Sequence, residues 1–328
     1  MLSSQYLYID RVALLIIMVS TLKEKVRQIY EDKYKLILWF PIILVILALL
    51  QITIQTATTG DFVHRGITLK GGSSITLTSS PQFSVQDVDS VGLQTQLHTQ
   101  FPLADISVQT LSSLGQTTAI IVESDIQDKD TIDQLVSGVL KIVPVQKDQY
   151  SVEVIGSALG ESFFKETLYA LLTAFVLMGI VVFISFRIFI PSMAVIASAF
   201  SDIVVTLAVF NLTGIKLSTA GVAAFLMLIG YSVDTDILLT TRVLKRKEGT
   251  VMERTYSAIK TGMTMIWAAV AAFLVALFFV QSDVIKQIML ILFIGLIVDM
   301  IMTWIQNVAM LRLYLERKER RGKVHGSN

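Results

Sequence analysis

The chain has 328 residues, of which 53% are hydrophobic and 16% charged, and its formal net charge is +1. A soluble globular domain carries about a quarter charged residues, so much of this surface faces something other than water. The charge balance gives no basic footprint for nucleic acid, and the lack of cysteine excludes disulfides and thiolate metal sites. The histidines lie far apart in sequence, at His64, His98 and His325, so we expect no metal site and no cofactor.

The N-terminal region contains one run that is long enough to cross a membrane. Residues 36–54 are almost entirely apolar, and a bilayer core of about 30 Å needs roughly 20 such residues in a helix. The earlier apolar run at 12–19 is too short to span, and it lacks the basic start of a signal peptide. We therefore predict a cytoplasmic segment at 1–34, with Met18 as an alternative start, and a first membrane helix at 35–55.

The mixed stretch that follows, 56–165, is predicted to be one folded domain. Its elements are a strand at 66–78 interrupted by glycine, a helix at 84–99 capped by Ser84, strands at 106–110 and 117–123 around a turn at 114–116, a helix at 128–142 stopped by Pro144, and a strand at 150–155. The order β-α-β-β-α-β is typical of a ferredoxin-like α+β domain.

Five more apolar runs follow in close succession. They lie at 167–186, 192–212, 217–241, 261–280 and 284–311. Backbone groups in lipid must form hydrogen bonds within their own segment, so these runs are predicted to be helices. The fold class is therefore a membrane protein with six transmembrane helices, of which helices 2–6 occupy 166–311, followed by a basic tail at 312–328.

Lys and Arg residues predict the orientation. They are frequent before the first span, between the fourth and fifth spans and after the sixth, whereas the opposite short loops carry only Lys216 and Lys286. Because basic loops stay in the cytoplasm, both termini are expected to be cytoplasmic and the domain at 56–165 outside.

Four acidic residues fall inside predicted spans: Asp202, Asp234, Asp236 and Asp299. A charge at mid-bilayer costs roughly 2.5 to 3.5 kcal/mol on the insertion scale, so such residues are candidates for a proton or ion relay. A structural alternative stays open, in which a carboxyl group such as that of Asp202 bonds a neighbouring helix. Asp234 and Asp236 lie about 200° apart around a helix, so they cannot both face the same partner.

Neither catalytic nor nucleotide-binding motifs are evident. Lys70-Gly71-Gly72 lies in a strand pattern without the rest of a phosphate-binding loop, which favours a bulge or bend. The acid at Asp234 lacks the Tyr-Asp and Gly-x-Gly-Asp settings of intramembrane aspartyl proteases. We therefore expect no enzyme activity.

Four motifs, in this order, resemble the SecF family of protein-export membrane proteins. Lys70-Gly71-Gly72 is similar to the Lys/Arg-Gly-Gly of the first strand, and the run from Gly156 to Gly160 is similar to the glycine motif before the second span. The run from Gly230 to Arg242 resembles the acidic motif of the fourth span, and 259–265 resembles the start of the fifth. Aligned on Arg242, the SecD version of the acidic motif places its acid at Asp234, which makes Asp234 the first candidate and Asp236 the second.

The resemblance implies an auxiliary subunit of the Sec translocase in the cell membrane. Such a subunit acts with a SecD-like partner beside the protein-conducting channel and uses the ion gradient to move unfolded preprotein. Lys260 and Arg242 are the candidate charge partners of the acid, although Lys260 is not aligned with the basic residue of the family. The alternative is a half-transporter of the resistance-nodulation-division type that exports small molecules or lipids.

Overall fold

The structure is a computed structural model that describes residues 30–78, 88–113, 116–143, 145–146, 149–246, 248–280 and 282–325, together with Glu24 and Gln28. Most of the predicted segment at 1–34, including Met18, lies outside these residues. So do Ser84, the residues at 114 and 115, and Pro144.

Within the part of the chain that the structure describes, six helices are long and apolar enough to cross a membrane, as predicted. They are span 1 (Tyr34–Thr59), span 2 (Ser157–Phe186), span 3 (Phe189–Leu212), span 4 (Thr219–Lys245), span 5 (Val251–Phe279) and span 6 (Val284–Arg320). Most of these helices extend beyond the apolar runs, because helical hydrogen bonding continues past the lipid into polar sequence. The helix of span 6 continues to His325, through the predicted basic tail.

Spans 3, 4 and 6 form the centre of the bundle. Span 1 packs on span 3, span 2 on spans 3 and 4, and span 5 on spans 4 and 6. Spans 1, 2 and 5 consequently expose most of their apolar surface, with side chains such as Leu47, Leu172 and Val275 at least half exposed. The buried polar side chains of the spans therefore come mainly from the three central helices.

Between spans 1 and 2 lies a four-stranded antiparallel sheet with two helices, which confirms the predicted ferredoxin-like fold. The strands β1 (Gly72–Thr78), β2 (Ile106–Ser113), β3 (Gln116–Ser124) and β4 (Tyr150–Ile155) have the spatial order β2-β3-β1-β4. Helices α1 (Ser90–Gln100) and α2 (Lys129–Ile142) cover one face of the sheet. Their apolar residues meet those of the strands in a single core, which includes Ile75, Leu97, Ile120, Leu135 and Val139.

Two local predictions in this domain are corrected. The strand predicted at 66–78 begins only at Gly72, because Ile67–Lys70 forms a helical turn and Gly71 and Gly72 then redirect the chain with φ of 86° and 148°. The buried side chain of Leu69 explains the turn, since it packs with Phe210 and Leu217 of the bundle. Helix α1 begins at Ser90 and is capped by Asp89, whose carboxylate accepts a hydrogen bond from the Val91 amide.

Asp128 caps α2 and gives a prediction about pH. Its carboxylate accepts hydrogen bonds from the Thr131 amide at 3.1 Å and the Thr131 hydroxyl at 2.8 Å, and these bonds hold the pKa of Asp128 below its usual value. Folding lowers this pKa, so the stabilisation is present above the unfolded value of about 3.9 and is lost as pH falls through the lower folded value. At neutral pH, Asp128→Ala should speed hydrogen exchange of the Thr131 amide about fivefold, as expected for the loss of an N-cap. Equal exchange in both proteins at neutral pH would contradict this prediction.

The ferredoxin-like domain is attached to the bundle at several points. The Gly66 amide donates to the carbonyl of Leu217 at 2.8 Å, and the Leu217 amide donates to the carbonyl of His64 at 2.6 Å. The ammonium group of Lys216 lies 2.8 Å from the carboxylate of Asp105 at the start of β2. At its other end the domain leads directly into the membrane, because only Gly156 separates β4 from span 2.

Candidate functional site

Three carboxyl groups lie in the centre of the bundle, one on each central helix. Asp202 of span 3, Asp236 of span 4 and Asp299 of span 6 are each completely buried. We call these three residues the carboxyl cluster. Small polar residues that are also buried surround it: Ser198, Ser201, Ser232, Thr235, Thr303, Gln306 and Asn307.

Thr303 bridges two of the three carboxyl groups. Its hydroxyl lies 2.8 Å from Oδ1 of Asp299 and 3.0 Å from Oδ1 of Asp236. A hydroxyl has one hydrogen to donate, so Thr303 donates to one carboxylate and can accept from the other group only if that group carries a proton. The geometry thus suits a pair of acids that share a proton through one hydroxyl.

Thr235 and Ser232 extend this arrangement toward Asp202. The Thr235 hydroxyl lies 3.1 Å from Oδ2 of Asp299 and donates to the Ser232 carbonyl at 2.8 Å. The Ser232 hydroxyl donates to Oδ2 of Asp202 at 2.5 Å. All three acids are therefore linked through serine and threonine, although the step through Ser232 passes by way of its backbone.

No described Lys or Arg forms an ion pair with the carboxyl cluster. Three adjacent negative charges in a buried site without counter-charge would cost far more than the fold could offset. Binding of a proton or a cation would lower that cost and would change the hydrogen bonds of the cluster. Among the described residues, no group of three or more His, Asp or Glu has the arrangement of a metal site.

A π-helical segment, Met302–Asn307, carries part of the site. Such wide turns are rare and occur often at functional sites. This segment supplies Thr303, and it also supplies Asn307, whose amide donates to Oδ1 of Asp236 at 2.7 Å. Gln306 donates to the Ser201 hydroxyl at 3.1 Å, which ties the segment to span 3.

The structure places Asp234 and Asp236 in different surroundings. Asp236 is completely buried in the carboxyl cluster, whereas Asp234 lies on the exposed side of span 4. The two residues face opposite ways, as their spacing predicted. The burial of Asp236 had a signal in the sequence: Ser232, Thr235 and Asp236 have the i, i+3, i+4 spacing of one helix face, and Asp234 is off that face.

The two candidate charge partners do not pair with the carboxyl cluster. The Arg242 guanidinium donates to the Ser257 carbonyl at 2.5 Å and to its hydroxyl at 3.0 Å, so it joins spans 4 and 5. Lys260 is exposed on span 5. The residues that do contact the acids, namely Ser232, Thr235, Thr303 and Asn307, were not singled out from the sequence, because uncharged polar residues are common at helix–helix contacts.

The two glycine motifs meet at the base of the ferredoxin-like domain. A β-carbon on Gly160 would lie 2.4 Å from the amide nitrogen of Gly71, and one on Gly71 would lie 2.6 Å from the α-carbon of Ser157. The Ser157 amide also donates to the side chain of Gln127 at 3.0 Å. We call Gly71, Gly72 and Gly160 the glycine joint; it explains the motif at Lys70-Gly71-Gly72 by close packing. Gly156, in contrast, has open space around it.

These features define a polytopic membrane protein with six membrane-length helices and a ferredoxin-like domain between the first and the second of them. The family model described as Protein export membrane protein SecD/SecF, C-terminal, matches residues 136–317. The protein-export membrane protein SecF of Pyrococcus furiosus is 37% identical over 300 residues, which cover 92% of this chain and 97% of that protein. SecF of Methanolacinia petrolearia is 39% identical over 292 residues, 88% of this chain and 95% of that protein. The chain belongs to the SecF family of protein-export membrane proteins.

Solved structures confirm the fold. SecDF of Thermus thermophilus, a translocon-associated membrane protein, superposes with a TM-score of 0.65 at 18% identity over 86% of this chain. A second SecDF structure, in a super-membrane-facing form, has a TM-score of 0.59 at 17% identity. This chain spans 38% of the length of the first SecDF chain and 39% of the second.

Proposed function

We propose that the protein is an auxiliary subunit of the Sec translocase that couples proton movement through the carboxyl cluster to polypeptide export. Family membership supports the role in export. The observation that carries the coupling is the burial of three acids with which no described Lys or Arg forms an ion pair, two of them bridged by the hydroxyl of Thr303. The role is not enzymatic: the carboxyl groups bind and release protons and make no covalent intermediate.

The proposal gives Asp236 and Asp299 the central part. A proton on either residue decides which way the Thr303 hydroxyl donates, and therefore how tightly spans 4 and 6 are held together. Moving one charge through 100 mV supplies about 2.3 kcal/mol, which is comparable with the free energy of one or two buried hydrogen bonds. Proton passage can thus alternate the packing of these spans between two arrangements.

The ferredoxin-like domain would transmit this change to the substrate. It is joined to span 2 through the glycine joint and to the loop between spans 3 and 4 through the ion pair of Lys216 with Asp105. We place this domain outside and both termini in the cytoplasm, since the basic residues cluster at that end of the spans. There it would meet unfolded preprotein as it leaves the protein-conducting channel.

The partner is proposed to be a SecD-like subunit, because this chain corresponds to little more than a third of the SecDF chains that share its fold. The exposed apolar faces of spans 1, 2 and 5 are available for that partner and for lipid. A small-molecule exporter is not favoured, since relatives that this chain covers almost completely are protein-export proteins.

Isolation of the tagged protein from native membranes in mild detergent tests the assignment. We expect a SecD-like chain to copurify in a constant ratio to the bait, with channel subunits at lower and detergent-dependent yield. A tagged six-span protein of another family serves as the control. Recovery of the chain without any SecD-like subunit, or with a complete small-molecule exporter, would contradict the proposal.

A further inference from the structure

The π-helical segment of span 6 is contacted by a residue from outside the membrane spans. Tyr30 precedes span 1, and its hydroxyl donates a hydrogen bond of 2.6 Å to the carbonyl of Trp304. Trp304 lies in the π-helical segment, directly after Thr303. Tyr30 therefore bonds the backbone of the same turn that carries the bridging hydroxyl of the carboxyl cluster.

Tyr30 is held firmly enough to act on that turn. The guanidinium group of Arg312 donates to the carbonyl of Tyr30 at 3.1 Å and to that of Glu31 at 2.7 Å. The hydroxyl of Tyr256 donates to the Glu31 carboxylate at 2.9 Å, and the rings of Tyr30 and Tyr256 lie 6.3 Å apart. The segment before span 1 is thus bonded to both span 5 and span 6.

The phenol of Tyr30 remains a hydrogen-bond donor over the physiological range. Burial, and next the nearby Tyr256, raise the pKa of Tyr30 well above its usual value. The O–H group is therefore present at every pH at which a membrane protein works, and its bond to Trp304 does not itself titrate.

Trp304 is also held from the opposite side. Its indole ring is buried against span 5 at Gly262, where a β-carbon would lie 2.2 Å from the ring. The backbone of Trp304 is thus bonded by Tyr30 while its ring fills the space over Gly262. When a side chain donates a hydrogen bond to a backbone carbonyl of a π turn, it stabilises that turn relative to a regular α-helical turn.

The geometry of this turn determines whether the residues that follow it on span 6 face the carboxyl cluster. A π turn holds one residue more than an α turn, so its loss would rotate the residues beyond it by about 100° relative to those before it. Asp299 precedes the π-helical segment, whereas Asn307 ends it. A regular helix would therefore turn Asn307 away from Asp236 while Asp299 stayed in place.

We propose that Tyr30 is a positioning residue of the relay, whose hydroxyl keeps the π-helical segment in the register that directs Asn307 to Asp236. This inference rests on the proposed function, because it assigns Tyr30 a part in the same relay. The proposal also gives the segment before span 1 a role in the relay, although this segment lies outside the membrane spans.

The test compares Tyr30→Phe with Tyr34→Phe. Both variants lose one hydroxyl and keep the ring, but Tyr34 donates to the side chain of Glu316, beyond the π-helical segment. Membranes of each variant are treated with a carbodiimide, which reacts with protonated carboxyl groups, across a range of pH. Labelling at Asp236 and Asp299 is then measured by mass spectrometry.

Tyr30→Phe should change the labelling rate of Asp236 at neutral pH by roughly three- to tenfold, the effect of one buried hydrogen bond. Tyr34→Phe should label like the wild type. Gradient-driven export should fall in Tyr30→Phe by a similar factor.

Three results would overturn the role of Tyr30: an unchanged labelling profile, an equal change in both variants, or a loss of folded protein from the membrane in Tyr30→Phe. The last result would make the hydroxyl a folding determinant. The labelling comparison requires no export, so it decides the role of Tyr30 even if the acids prove unnecessary for export.

Discussion

Asp236→Asn should reduce gradient-driven export by about tenfold or more, to the level of cells that lack the protein. The amide has the shape of the carboxyl group but cannot take up or release a proton at this position. Its NH₂ group would also face the Asn307 amide or the Thr303 hydroxyl, which changes the donors and acceptors between spans 4 and 6. Secretion of a reporter protein, measured with and without an uncoupler of the proton gradient, gives the result.

Asp234→Asn is the matched control for this experiment. It makes the same chemical change two residues away, on the exposed side of span 4, and should leave export within about twofold of the wild type, as expected for a surface substitution. Copurification of the SecD-like subunit should be unchanged in both variants. Wild-type export by Asp236→Asn, or an equal loss in Asp234→Asn, would be incompatible with the carboxyl cluster as the relay.

Gly160→Ala should destabilise the protein although it adds only one methyl group. Its new methyl group would lie 2.4 Å from the Gly71 amide nitrogen and 2.8 Å from the carbonyl carbon of Lys70, both backbone atoms that cannot turn away. Overpacking of this kind costs typically 1–3 kcal/mol. We expect a lower midpoint of thermal unfolding in detergent, together with weakened export.

Gly156→Ala provides the comparison, four residues earlier in the same motif. A β-carbon there meets nothing within 4 Å, and φ of Gly156 is −63°, which alanine adopts readily. Its unfolding midpoint should match the wild type. If both substitutions behave alike, the close approach of Gly71 to Gly160 has no energetic importance.

The architecture could be predicted from the sequence because its signals are local. Each span is a continuous apolar run, and each element of the ferredoxin-like domain has its own periodicity and turn residues. The ends of the elements were less predictable. Leu69 forms part of a helical turn because it packs on Phe210 and Leu217, which lie more than a hundred positions further along the chain.

The carboxyl cluster was predictable in its members but not in its arrangement. Acids inside apolar spans identified Asp202, Asp236 and Asp299 as candidates, yet a mostly apolar helix does not indicate which side faces the interior. Asp236 is buried whereas Asp234 is exposed, and this difference depends on how span 4 packs against spans 3 and 6. The π-helical segment has no sequence signal of its own, since it depends on contacts of Trp304 with Tyr30 and Gly262.

The direct passage from β4 into span 2 has a mechanical consequence. Span 2 has 30 residues and is therefore about 45 Å long. A single residue, Gly156, connects it to the sheet, and the contact of Gly71 with Gly160 clamps the connection. In the proposed coupling, the helix and the sheet would move together as one body. A tilt of about 10° around the midpoint of the helix would displace its outer end by roughly 4 Å, and the far edge of the sheet by more. Small rearrangements among the buried acids would in this way produce a larger displacement of the ferredoxin-like domain at the membrane surface.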